Sequence, residues 1–74
     1  MLKKIAGVYI NPEQIAAIDV HLFEQMGDEG ETELYGQPVL VLNSGYTVVT
    51  PMTEHVDAIE SALDMVMREI EVTH

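Results

Sequence analysis

The spacing of apolar and polar positions changes several times along the chain. Residues 5–10, Ile5-Ala6-Gly7-Val8-Tyr9-Ile10, are rich in β-branched and aromatic side chains and read as a strand. Asn11-Pro12-Glu13-Gln14 breaks it, because Pro12 brings no N–H to a ladder and Asn11 can cap a turn with its side chain. Residues 15–25 fit two periods. Ile15, Ile18, Leu22 and Met26 make a helical stripe behind an N-cap-like Asn11, whereas Ile18, Val20 and Leu22 alternate with Asp19, His21 and Phe23 as a strand does. The strand is the preferred reading, with residues 11–14 as one helical turn between strands.

Gly27-Asp28-Glu29-Gly30-Glu31-Thr32-Glu33 is a polar tip in which glycines permit tight turning and four acids hold water. Leu34 and Tyr35 lead through Gly36-Gln37-Pro38 into a strand at about 38–43, and Asn43-Ser44-Gly45 turns the chain into another at about 45–50. Thr50-Pro51 then reads as the N-cap and first residue of a helix over about 51–71, with Thr53 as the competing cap and Glu54 and Asp57 at the positive end of its dipole. Val56, Ile59, Leu63, Val66 and Ile70 recur at spacings of three and four, which makes that helix amphipathic.

These elements predict a single α+β domain over residues 1–74, a small antiparallel four-stranded sheet in the order β-turn-β-β-β-α with one C-terminal amphipathic helix. A sheet of this kind lacks a lid. Val39 and Val41 point to one face and Leu40 and Leu42 to the other, yet one helix covers one face. Below about 80 residues a single core rarely supplies more than about 3–5 kcal/mol, so homo-oligomerisation is the expected remedy. The expected interface is the wide apolar arc of the helix: Val56, Ile59, Ala62, Leu63, Met65, Val66, Met67 and Ile70.

Charge adds a direction. Thirteen acids against three bases give a net charge of −10, and between Ile5 and Met67 there is no Lys or Arg. Such a field opposes direct nucleic-acid binding and favours either plain solubility or a protein partner with a basic surface. The expected partner-binding residues are Asp28, Glu29, Glu31 and Glu33 on the tip, with Asp57, Glu60 and Asp64 on the helix. The absence of cysteine excludes disulfides and thiolate metal sites, and with no signal-peptide core or apolar run of about 20 residues a cytoplasmic location without membrane contact is expected.

Chemistry is thin. The tip acids lack the alternate spacing and the downstream bidentate Glu of a calcium loop, and His21, His55 and His74 show no metal-ligand spacing, so no metal and no cofactor is expected. Ser44 and Ser61 have no evident base beside them, and no phosphate loop is present, so no catalytic residue is assigned and the chain is not expected to be an enzyme.

Two stretches resemble the small FlbD-like flagellar and swarming-motility family. Tyr9-Ile10-Asn11-Pro12-Glu13-Gln14-Ile15-Ala16-Ala17-Ile18 is similar to that family's aromatic–aliphatic–Asn–x–Glu–x–Ile turn between two strands, and residues 38–59 follow its strand, turn, strand, acidic helix start. The resemblance covers about half the chain, which departs from the family by a long insertion over residues 23–37 and a longer helix. It implies the strand after Gln14 and offers no catalytic residues.

The leading functional expectation is a non-catalytic acidic inhibitor of the phage type, directed at a larger host defence or nucleic-acid-handling protein by mimicry of a nucleic acid's field. One alternative is an oligomeric sponge for a small signalling molecule, with Tyr9, His21, Tyr35, Tyr46 and Arg68 lining pockets between subunits. The other is a regulatory or structural adaptor of the flagellar-family type.

Overall fold

The computed structural model describes residues 1–72. Its first surprise is local: Ala6 and Gly7 both adopt positive φ, 51° and 86°. That is the two-residue turn whose twist suits a tight hairpin. The expected strand at 5–10 is therefore folded in half, β1 (Lys3–Ile5) pairing antiparallel with β2 (Val8–Ile10) as a separate two-stranded sheet. Asn11 then accepts the Glu13 amide on its side chain (3.1 Å) and starts a 3-10 turn over Pro12–Gln14, as its sequence implies.

The strand after Gln14 is real and long. β3 (Ile15–Met26) pairs antiparallel with β4 (Thr32–Leu42), in register from Ala17↔Val41 to Met26↔Thr32 with a bulge at Ile15/Ala17. Residues 23–37 continue these two strands around the acidic tip. At about 3.3 Å per residue β3 sets the long dimension of a molecule measuring 45 × 23 × 16 Å. β5 (Thr47–Val49) pairs with β4 at Val39 to Val41, and β6 (Glu54–His55) pairs with it at Tyr35 and Gly36.

β6 also shows why the helix starts late. The α-helix α1 spans Ile59–Val72, eight residues inside the expected start. Thr50, expected as its cap, is buried and gives both its amide (3.0 Å) and its hydroxyl (2.8 Å) to the Pro38 carbonyl. Thr53 is no cap either. His55 takes that place: its Nδ1 accepts the Asp57 amide (3.2 Å) ahead of a 3-10 turn, Val56–Ala58. Thr50→Val keeps the shape and removes the hydroxyl, so it should cost about 1 kcal/mol, a fall in thermal midpoint of roughly 4–8 °C. A melt within error of wild type would show that the bond contributes nothing.

Ile5, Ala6 and Ile10 of the first hairpin, Leu40 of β4 and Val66 of α1 form the core. The hairpin thus joins the helix as cover, tied to it by the Ala6 amide on Glu69 Oε2 at 3.0 Å. This corrects the membership of the expected sheet: the first strand leaves the main sheet to pack on α1, and β6 is the fourth strand there. It also corrects the oligomer interface: Ile59, Ala62 and Val66 are buried within one chain, and Val56, Leu63 and Ile70 are half-buried. Only Met65 and Met67 of that set remain exposed. On the other face of the sheet Val39 is buried, Val41 half-buried and Val49 half-exposed.

Candidate functional site

The helix and the long hairpin part company midway. Gly36 lies where α1 begins, and a Cβ there would come within 3.0 Å of Ile59 Cδ1 and 3.1 Å of Val20 Cγ1, so a hydrogen is what lets the helix start so close to β4. From there α1 runs to the base of the hairpin, where Met67 and Ile70 line a groove with Ile15, Ala16, Ala17 and Ile18. Beyond Gly36 the strands continue without the helix, as a two-stranded arm. Leu22 (51% exposed), Met26 (74%) and Leu34 (37%) are open to solvent on what would be its inner face.

The arm's other face carries a row of rings. The alternation of β3 and the register Phe23↔Tyr35 and Tyr35↔His55 set four side chains in sequence across three strands. His21 and Phe23 lie near-parallel with centroids 6.0 Å apart, Phe23 and Tyr35 likewise at 6.1 Å, and His55 meets Tyr35 edge-on at 5.5 Å. Two acids border the row. Glu33 accepts the Tyr35 hydroxyl at 3.0 Å, and this hydrogen bond, with the repulsion of the phenolate by the same carboxylate, holds Tyr35 above the usual tyrosine range. Asp57 Oδ2 lies 3.5 Å from His55 Nδ1. In the neutral ring that nitrogen accepts the Asp57 amide, so the carboxylate contact becomes an ion pair only when the ring gains a proton.

The tip is built by one of its own acids. Gly27 donates its amide to the Glu31 carbonyl (2.6 Å), and Glu31 Oε2 takes the Glu29 amide (3.1 Å), folding the Glu31 side chain back over Gly27. Glu31 therefore shapes the turn, while Asp28 and Glu29 face solvent. With Glu24 and Glu33 they make residues 21–35 an arm of five acids and no base. Asp57 joins this group through His55, whereas Glu60 and Asp64 lie exposed on the helix and outside it.

The proposed ligand residues do not come together. His21 and Tyr35 belong to the row; Tyr46 stands exposed after Gly45; Tyr9 lies opposite Lys4 in the first hairpin. His74 lies outside the described residues. Arg68 shares a shallow cleft of about 260 Å³ with Lys3, Lys4 and Glu69, so the chain's three bases meet at one place. Reading by residue type passed over Phe23, weighed His55 only as a metal ligand, and left the two lysines unassigned. The first two become neighbours of Tyr35 only once the pairings of β4 are known. No group of three metal-ligating side chains occurs among the described residues, and none of their helices is long and apolar enough to cross a membrane.

No family model, curated protein or solved structure matches the chain.

Proposed function

We propose that the chain is a non-catalytic binding protein whose hairpin arm engages a basic surface of a larger protein. The observation that carries this reading is the arm itself. A two-stranded hairpin is marginal in water by itself, yet this one extends past its helix with apolar side chains bare on one face, half-buried rings on the other and five acids around them. Rings beside carboxylates suit arginine, whose guanidinium stacks on an aromatic face while its N–H groups reach the acid. A site of this kind would occupy the cleft in which the partner holds phosphates, and so inhibit it by taking the place of a nucleic acid's field.

The test starts from a protein captured with the intact chain and then titrated against it. A variant with Asp28→Asn, Glu29→Gln and Glu33→Gln, sparing the structural Glu31, should bind at least about tenfold more weakly, and Phe23→Ala should do the same without changing net charge. Affinity should also fall steadily with salt. Equal affinity across the variants and the salt series would refute the arm as the site.

One further observation favours a second reading. Lys3, Lys4 and Arg68, with Glu69, line a common cleft and Tyr9 lies opposite Lys4, a set of charges that would suit a small anionic ligand held without being turned over. Nucleotides should then raise the thermal midpoint, and Arg68→Gln should abolish the shift.

A further inference from the structure

β3 has one strand neighbour among the described residues, and its other edge faces outward. The side on which each amide points follows from Pro38. Its carbonyl accepts Thr50, so it is turned toward β5, and Val20, its partner in β3, turns N–H and C=O away from β4. Consistently, the Val20 amide is met by Asp19 Oδ1, at 2.8 Å, and not by β4. The two-residue alternation sends the amides of Ile18 and Leu22 outward as well. This edge carries none of the Lys or Pro residues that usually guard one; Asp19, Glu24 and the bulge at its start are its protection.

We propose that a second copy of the chain pairs with this edge, antiparallel to β3, about a two-fold axis at Val20. The side chains support that axis specifically. It sets Ile18 opposite Leu22 of the second copy, Ala17 opposite Phe23, and Asp19 opposite His21, so small meets large and acid meets imidazole. An axis at Asp19 would oppose the two Asp19 carboxylates, and one at His21 would set Ile18 against Glu24. Leu22 is half-exposed in the single chain, and the groove of about 410 Å³ between β3 and α1 opens beside Ile18. The axis brings each Leu22 to the other copy's groove, against Met67 and Ile70. Asp19 releases the Val20 amide as the strands join. The second copy thus meets the sheet through its strand edge and helix flank, not through the helical arc read from the sequence.

The test is mass in solution, by sedimentation and light scattering of the whole chain over a concentration series. The wild type should approach twice the chain mass at high micromolar concentration. Higher salt should tighten the dimer, because each copy carries a charge of −10, whereas it loosens an acidic arm on a basic partner. Val20→Pro removes an N–H that no intrachain strand uses, so the protomer should keep its circular dichroism while dimer affinity falls at least about tenfold. Should that variant lose its circular dichroism, Leu22→Glu decides instead by placing a carboxylate at the groove, and it should be monomeric. A monomeric wild type would overturn the proposal, as would wild-type dimer affinity in a folded Val20→Pro or in Leu22→Glu. Neither result bears on whether the arm binds a basic protein.

Discussion

Leu40→Ala is expected to remove about 2–5 kcal/mol of stability and to leave the chain largely unfolded at physiological temperature. Leu40 is fully buried and packs in one cluster with Ile5, Ala6 and Ile10 of the first hairpin and Val66 of the helix. Deleting its methyl groups opens a cavity where three separate segments converge, so none can close it alone. A domain of this size holds only about 3–5 kcal/mol in reserve. Urea titration followed by circular dichroism measures the loss, and a midpoint like that of wild type would show that the hairpin and helix do not share this core.

Gly7→Ala should be the second large effect, about 1–3 kcal/mol, from one added carbon. Gly7 sits at φ +86°, and its new Cβ would lie 2.9 Å from Pro51 Cγ, in the segment joining β5 to β6. Gly45→Ala is the matched control. Its φ is +94° with nothing within 4 Å, so it should carry the backbone strain alone, about 1 kcal/mol. Equal costs at the two positions would mean that the N-terminal turn and Pro51 are not in contact.

The acidic tip, the hairpin at Asn43-Ser44-Gly45 and the turn at Asn11-Pro12 are legible because each depends on its own residues. Gly30 and Gly45 take positive φ where L side chains rarely go, and Asn11 caps a turn two residues away. The helix was readable in its apolar stripe and unreadable in its start. Thr50-Pro51 has the local character of a cap, but the Pro38 carbonyl, twelve residues earlier, takes both donors of Thr50. The acids of the candidate site could be listed from the sequence; its rings could not be assembled. Phe23 and His55 flank Tyr35 only through two long-range pairings, and Glu31, outwardly just another acid, is occupied in holding the turn.

What the sequence determined alone was the type of most elements, the apolar stripe of the helix, and the one-sided charge, because all three follow from neighbours a few positions apart, whereas residues 15–25 fitted two periods until their pairing with β4 was known. What only the tertiary structure decided was which surfaces remain. The register of β3 on β4 left an arm beyond the helix and an open edge. The positive φ of Ala6 and Gly7 sent the first strand to the helix rather than to the sheet. Pairing across a sheet depends on partners far away in the chain, and a local pattern does not name them.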